Sequence, residues 1–507
     1  MKKMLFSISM LLCLFSCSKD FESGNDISGY QVKKTIYTRT AGDGKYDVLG
    51  YGYDVTEEYM GENSTKSKVL DVAAFDRENP NRFENPFLGA IDQRVYAGED
   101  AYSFLKEVST NSNFSGSVGS LGKTDTSGFF SGTISAGFKS NTKYSYSTKY
   151  SFARAEVFKK QRKLYLNTDL ETLKKFLSPI FLEDLNKYSA DKIVEIYGTH
   201  VLTNVIIGGK YIAYYKSAIT ETNDRSEKTK VVSAGAKINL SKIGLDANGT
   251  WSSTEITEVN KKNSNWECQI KSIGGSTSGT SITLSPNQGP TFTINLGDWT
   301  KSIDDEHARL IDVDWNVTYP IYELISDPIK KQQIKDAVFR YIESKKIEVL
   351  ALEPLYKIYN RATTNNFNVM GEDQREYWLS IESGAKNREL ECLLGYVLKN
   401  KTDNAEPLYD IYNKTTKNDF SVMGDQEKYY WLYVEKDHED RVYERQTGFV
   451  YNVQMPNTIP LYRIYNKNSQ NTFSVAGIED KNYWLHQAEG YKDRVDDGQT
   501  GYIYPAN

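Results

Sequence analysis

Histidine and cysteine are both scarce, at four residues each in a chain of 507. His200, His307, His438 and His486 are scattered, and the sequence holds no His-x-x-x-His pair, Ser-His-Asp order or phosphate-binding glycine loop. Cys268 and Cys392 lie too far apart in sequence to make a metal-ligand pattern. Nothing points to a cofactor, a metal or a catalytic residue, so the chain reads as a non-enzyme. A glycoside hydrolase built on paired carboxylates, for example, has no motif behind it. An excess of one charge is also missing. Lys and Arg number 62 against 67 Asp and Glu, for a net charge of −5, which argues against nucleic acid as a general partner. What the chain has is tyrosine. Its 37 tyrosines lift the aromatic share to 13% and lean the composition toward β structure. The length fits two or three domains.

The apolar run Met4 to Phe15, broken by Ser7 and Ser9 and preceded by Lys2-Lys3, is too short to cross a bilayer and reads as a secretory signal. Its end, Leu14-Phe15-Ser16-Cys17, resembles a bacterial lipobox, with Phe15 the departure from the usual small or aliphatic residue. That resemblance implies a lipoprotein signal peptide with its lipobox over 1–17, lipid on Cys17, and an exported lipoprotein that stays at the outer membrane or cell surface or is released from it. Ordinary cleavage beside Cys17 is the other reading. Residues 18–29 read as a linker. Cys268 and Cys392 are left to pair in an oxidising envelope only if geometry brings them together. Beyond the linker, Tyr30 to Ile36 reads as a strand, Glu57 to Lys68 as a polar loop and Phe83 to Gly98 as irregular.

Two later stretches are unusual. Between Asn111 and Tyr150, Gly, Ser and Thr dominate. Phe114, Gly116 and Val118, then Phe130, Gly132, Ile134, Ala136 and Phe138, alternate with small or polar residues. Over 230–257, Ala234, Ala236, Ile238 and Leu240 alternate likewise, and after a one-residue shift Ile243 and Leu245 continue. Period two argues for strands with one apolar face, although many of these residues also suit a helix. A Gly/Ser linker is the alternative for the first stretch, but linkers lack phased aromatics. Transmembrane β-strands need ~9–11 residues of this pattern, and each stretch has room for two. Lys139 and Lys237 fall on the polar side.

Between these stretches lies the segment 193–216. Leu182, Leu185, Ile193 and Ile196 run at helical spacing into Tyr197-Gly198-Thr199-His200, which reads as a helix end. Val201 to Ile207 reads as a strand, Gly208-Gly209 as a bend or close approach, and Tyr211 to Tyr215 as its resumption. Tyr197, Gly198, Thr199, His200, six residues after Val201, then Gly208 and Gly209 resemble the signature of the membrane-attack-complex/perforin (MACPF) family. Val201 stands where the family usually has Phe or Tyr.

The resemblance covers about residues 30–350. It implies an α+β fold with a bent, twisted antiparallel central sheet flanked by two helical clusters. It also implies that the clusters unfurl into membrane-crossing β-hairpins when subunits assemble. The inserting residues would be Phe114, Val118, Phe130, Ile134, Ala136, Phe138, Ala234, Ala236, Ile238, Leu240, Ile243 and Leu245. Implied partners are a target membrane, a receptor (glycan, lipopolysaccharide or outer-membrane protein) and further copies of the chain in a ring or arc. The implied role is a pore-forming toxin against competing bacteria. The alternative is a non-lytic surface lipoprotein, an adhesin or glycan-capture protein that keeps a static sheet. Further along, Phe292 to Leu296 reads as a strand, as does Ile282 to Leu284, and Ile329 to Lys346 as a closing helix.

Residues 351–507 are a triplicate. Pro354-Leu-Tyr-Lys-Ile-Tyr-Asn360 returns from Pro407 and again from Pro460, an interval of 53 each time. Phe367, Phe420 and Phe473 keep the interval, as do Trp378, Trp431 and Trp484. A fixed period signals a repeat architecture. Three units of three or four strands suggest a closed, β-trefoil-like all-β body, with a short array or β-prism-like arrangement as the alternative, serving as the receptor-binding module. The in-phase aromatics read as shared core. Thr364, Lys417 and Gln470, or Lys386, Glu439 and Lys492, are polar positions that differ between units and stand as weak binding candidates.

Overall fold

The computed structural model describes residues 44–114, 128–138, 147–219, 224–245, 252–286, 290, 293–347, 349–486 and 492–506. The signal segment with Cys17, the strand expected at Tyr30 to Ile36, and Val118, Lys139 and Phe292 lie outside them. In chain order the first part holds β1 (Tyr51–Tyr53), β2 (Thr65–Lys68), β3 (Phe83–Glu84), β4 (Ile91–Gly98), α1 (Ala101–Asn111), α2 (Gly132–Gly137) and β5 (Tyr150–Leu166). Then come α3 (Pro179–Lys187), α4 (Ala190–Tyr197), β6 (His200–Val201), β7 (Asn204–Ala218), α5 (Arg225–Lys242), α6 (Ser253–Lys262), β8 (Ser264–Ile273) and β9 (Ser281–Leu284). This part closes with α7 (Leu296–Lys301), β10 (Arg309–Val313), β11 (Tyr319–Pro320) and α8 (Pro328–Ser344).

The long antiparallel pair β5 and β7 carries the central sheet, whose path is β3-β5-β7-β8-β9, with β4 also on β5 and β10 on β7. A smaller sheet, β11-β6-β1-β2, holds the start of the signature strand. Val201 to Ile207 is therefore not one strand. It breaks at Leu202-Thr203, where the chain leaves one sheet for the other. Other expectations are corrected as well. Ile91 to Gly98 is a regular strand in register with Lys159 to Phe152 of β5, not irregular chain. Glu57 to Lys68 ends in a strand, β2, and Leu296 begins a helix. The closing helix stands, with Ile334, Val338 and Ile342 buried.

In the triplicate each unit gives a hairpin, a helix and a third strand. The strands are β12 (Leu352–Asn360), β13 (Asn365–Met370) and β14 (Arg388–Leu398); β15 (Ala405–Asn413), β16 (Asn418–Met423) and β17 (Arg441–Tyr451); and β18 (Ile459–Asn466), β19 (Asn471–Ala476) and β20 (Arg494–Ile503). The third strands join end to end through Leu398–Phe449 and Tyr451–Tyr502, and the bridge Tyr396–Tyr504 closes the ring. The closed three-fold body is thus formed with three strands and a helix in each unit. At its axis the Asn368 amide donates to Ser421 Oγ (2.9 Å) and Ser474 Oγ (2.7 Å). Leu355, Leu408 and Leu461, one from each unit, are fully buried together.

Candidate functional site

The signature sits where the small sheet meets the central one. Ser189 caps α4, and Ile193, Val194 and Tyr197 are its buried face. The helix stops at Gly198, whose φ of +78° favours glycine and whose would-be Cβ would lie 2.6 Å from the Tyr53 carbonyl oxygen. Thr199 stitches the junction to β1. Its hydroxyl donates to the Tyr53 carbonyl (3.1 Å) and accepts from the Val55 amide (3.2 Å). His200 is fully buried, with Nδ1 3.0 Å from Thr199 Oγ1. Burial lowers its pKa to about 3, so the ring is neutral at ordinary pH.

Gly208 and Gly209 mark where β7 changes neighbours. On one side β10 pairs with Val205 to Gly208, and β8 takes over from Lys210. Opposite, β5 has a register shift between Lys160 and Arg162. A side chain at Gly208 would put Cβ 2.0 Å from the Lys159 carbonyl oxygen, and one at Gly209 would meet Ile303 at 2.5 Å. The strand runs through the pair unbroken, so the glycines serve close approach at the bend rather than ending the strand.

Both clusters pack on this sheet, on opposite faces. Phe152, Ile212 and Tyr214 share a core with α1, α2 and the signature, whereas Ala153, Ala155, Tyr211, Ala213 and Tyr215 share one with α5. The alternation of β5 and β7 divides them. In the first cluster Phe114, Phe130, Ile134 and Phe138 are buried, and Phe114 packs on His200 (ring centroids 5.6 Å), Trp315 (4.8 Å) and Phe130 (5.0 Å). The signature histidine thus touches the start of the first cluster.

Charge is buried on the same face. Arg154 and Glu156 pair at 2.5 Å, Arg154 Nη1 donates to the Tyr59 carbonyl (2.8 Å), and Lys210 Nζ donates to the Met60 carbonyl (3.0 Å). Burial depresses the Lys210 pKa to about 7. Glu58 joins this strip to the sheet, accepting from Tyr214 Oη and from Lys271 Nζ, 3.3 Å away. Lys271 also donates to the Ala136 carbonyl of α2 (2.9 Å), and Tyr59 N to Thr133 Oγ1 (2.9 Å).

On the other face Ala236, Ile238, Leu240, Ile243 and Leu245 are buried, with Gly235 seated against the Tyr215 ring. Ala136 and Ala234 are half-buried. The two alternating stretches hold helices at 132–137 and 225–242, as the helical clusters of the resemblance imply and not the strands that period two alone argues for. Buried positions on α5 fall at Val231, Val232, Gly235, Ala236, Ile238, Asn239 and Leu240, a helical stripe that takes in Gly235 and Asn239 from the polar side of the alternation.

The triplicate meets the end of the first stretch. Thr148 Oγ1 donates to the Leu352 carbonyl (2.9 Å) and accepts from its amide (2.8 Å), while Lys149 Nζ donates to the Ala506 carbonyl (3.1 Å). Thr364, Lys417 and Gln470 each take positive φ at the hairpin turns. Lys386, Glu439 and Lys492 are exposed in the loop before the third strand. Arg388, Arg441 and Arg494, also spaced by 53, lie 4.6, 4.8 and 4.6 Å from the Trp378, Trp431 and Trp484 rings, which pack on the repeated phenylalanines. That phase was legible in the sequence. The buried position Lys357, Asp410, Arg463 changes sign. Lys357 pairs with Glu391 (2.7 Å) and Arg463 with Asp497 (3.2 Å). Asp410 instead accepts from Ser421 (2.6 Å) near Arg445, and burial lifts its pKa to about 6. Cys268 is buried and Cys392 half-buried; both are free thiols. Among the described residues no His/Cys/Asp/Glu group is placed to hold a metal, and no helix is long and apolar enough to cross a membrane.

An antiparallel sheet with a helical cluster on each face, and a glycine pair where its long strand changes neighbours, is the architecture of the chain ahead of the triplicate. The sequence profile of the MAC/Perforin domain matches residues 40–351, and that of a domain of unknown function, DUF5648, matches 354–504. The chain belongs to the MAC/Perforin family, a family of the pore-forming type. Similar solved structures include a MAC/Perforin-domain protein from Bacteroides thetaiotaomicron VPI-5482, at 16% identity and TM-score 0.46, covering 87% of this chain and 88% of that one. GNIP1Aa from Chromobacterium piscinae shares 12% identity at TM-score 0.45, covering 87% and 98%. Pneumolysin shares 9% at TM-score 0.22, covering 49% and 45%. No curated protein sequence matches the chain.

Proposed function

We propose that this protein forms pores without catalysing a reaction. It is exported, held at the outer membrane or cell surface through lipid on Cys17, and used as a toxin against competing bacteria. The three-fold domain docks on a surface receptor, subunits join edge to edge through the central sheet, and the two clusters refold as amphipathic hairpins. One observation carries this. Two sequence stretches that alternate with period two are folded as helices on opposite faces of one bent sheet. A single chain cannot close a barrel, and open strand edges do not persist in hydrocarbon, so assembly is part of the mechanism.

The test is dye release from vesicles of phosphatidylethanolamine, phosphatidylglycerol and lipopolysaccharide. A lock is built by Thr56→Cys with Ser131→Cys, at positions where Ser131 Oγ now donates to the Thr56 carbonyl (3.0 Å), in a Cys392→Ser background. Leakage by the wild type and by the reduced lock, but not by the oxidised lock, supports insertion by unfurling. No leakage from any vesicle by protein that still binds bacterial cells establishes the non-lytic adhesin instead.

A further inference from the structure

Both clusters leave and rejoin the central sheet at one end. β4 stops at Gly98, which pairs with Phe152 near the start of β5. Tyr150, where β5 starts, pairs with Ala218, where β7 stops, and Ala218 also pairs with Ser264, where β8 starts. α1 and α2 lie on the chain between β4 and β5, and α5 and α6 on the chain between β7 and β8. A strand made from either cluster must therefore lengthen the sheet from this end.

The three-fold domain is fastened to the same end. The Thr148 amide donates to the Leu350 carbonyl (3.1 Å), the Thr148 hydroxyl to the Leu352 carbonyl (2.9 Å), and the Leu352 amide to that hydroxyl (2.8 Å). Leu350 and Leu352 themselves pack with Tyr396, Tyr451 and Tyr504 of the domain. Lys149 is 8% exposed; its Nζ donates to the Pro505 and Ala506 carbonyls (3.4 and 3.1 Å) and lies 4.7 Å from the Tyr396 ring. The second cluster faces the domain too. Lys228, in the first turn of α5, lies in the field of Glu353 and Glu372 of the first unit and of Glu99 at the sheet end.

These bonds and a longer ladder exclude each other. β5 has β4 on one side and β7 on the other, so each amide added to its start is taken by one neighbour or the other. In the present register the pair that follows Tyr150 and Ala218 is Lys149 with Ile219, and Thr148 comes next. The Thr148 amide cannot serve both Leu350 and a neighbouring strand. We infer that the three-fold domain is an intramolecular stop on the growing end of the sheet. While the domain holds Thr148 and Lys149, β5 and β7 cannot lengthen, and docking of the domain on its target draws it off that end. With the stop gone, the clusters are held only by their packing on the two faces. The stop has this role only in a chain whose clusters become strands, and so rests on the proposed pore-forming function.

Two variants of the full chain test the stop, by dye release from vesicles of phosphatidylethanolamine, phosphatidylglycerol and lipopolysaccharide. Thr148→Cys with Ala351→Cys, in a Cys392→Ser background, fastens it, because Ala351 lies between the two residues that Thr148 bonds. Closure of the disulfide is checked by the mass of the unreduced peptide. Thr148→Val with Lys149→Met loosens the stop by removing its side-chain bonds at similar volume. The oxidised pair should bind the vesicles and release no dye until it is reduced. The loosened variant should release dye about tenfold faster than wild type, the effect of losing two or three hydrogen bonds. Hydrogen exchange supplies a readout that a merely structural contact would not move. In protein that has released dye, the Leu352 amide loses protection while the Thr148 amide keeps it in the lengthened ladder. Leakage by the oxidised pair at the wild-type rate overturns the stop and leaves the pore. So does a folded loosened variant no faster than wild type, or a Leu352 amide still protected after dye release. Absence of leakage with every form overturns the pore-forming function and the stop together.

Discussion

The two faces of the central sheet hold their clusters by different means. The first face carries charge: Phe152, Ile212 and Tyr214 pack with α1 and α2, and Arg154, Glu156 and Lys210 lie under the strip Glu58 to Met60, which binds α2 through Thr133 and Lys271. The second is apolar, with Ala153, Ala155, Val157, Ala213, Tyr211 and Tyr215 under α5, whose Gly235 seats on the Tyr215 ring. Buried ions are favourable only while every partner is in place, whereas small apolar contacts weaken gradually. The first cluster is therefore held by an all-or-none latch and the second by a sliding fit. If both clusters leave the sheet as proposed, the latch sets the threshold.

Removing one member of the latch should have the largest effect. Glu156→Leu leaves Arg154 buried without its carboxylate and should cost about 3–5 kcal/mol, read from the urea midpoint. The double variant Arg154→Met with Glu156→Met should recover most of that loss and also slow dye release, because a hydrophobic face has no charge to rehydrate. If the single variant is as stable as wild type, the first face is no different from the second.

Acid should distinguish the faces next. His200 titrates near 6.5 when unfolded and at about 3 in the folded chain, so between these values the unfolded state binds the extra proton. Stability is full above pH 6.5 and falls as pH drops, by about 2 kcal/mol at pH 5. His200→Gln should flatten that slope. Asp410 in the three-fold domain has the opposite sign. Its pKa is raised from 3.8 to about 6, so its contribution is full below 3.8 and is lost as pH rises through 6. Chemical denaturation followed from pH 7 to 4 should show the wild type losing stability relative to His200→Gln. Parallel curves would place the proton elsewhere.

How much of this was legible depends on what each residue reports. Tyr197 to His200 with Gly208-Gly209 announced both the helix stop and the close approach, because glycine needs a backbone reason to recur at such spacing. The 53-residue period disclosed the three-fold ring and the Phe–Trp core for a similar reason. The break at Leu202-Thr203 was invisible, since a β-branched run has the same composition whether it serves one sheet or two. The helices at 132–137 and 225–242 followed from the family signature and not from the local pattern, because period two argues for strands while Ala, Gly, Ser and Lys suit either state. The latch was missed for another reason. Arg154, Glu156 and Lys210 look like the polar side of a half-exposed strand, and only the strip at Glu58 to Met60, far off in sequence, buries them.

The smallest effect is expected on the second face, where Lys242 sits over Trp266 rather than inside a carboxylate pair. Lys242→Met keeps the stem's packing and removes the charge. The loss should be about 0.5–1 kcal/mol, as for a cation–π contact at a partly exposed site. It is measured as a shift in the urea midpoint at unchanged slope. A loss of several kcal/mol, comparable to that of Glu156→Leu, would mean that a buried ionic partner exists on this side too. The two faces would then be latched alike, and the order in which the clusters leave the sheet would have to be set by something other than charge.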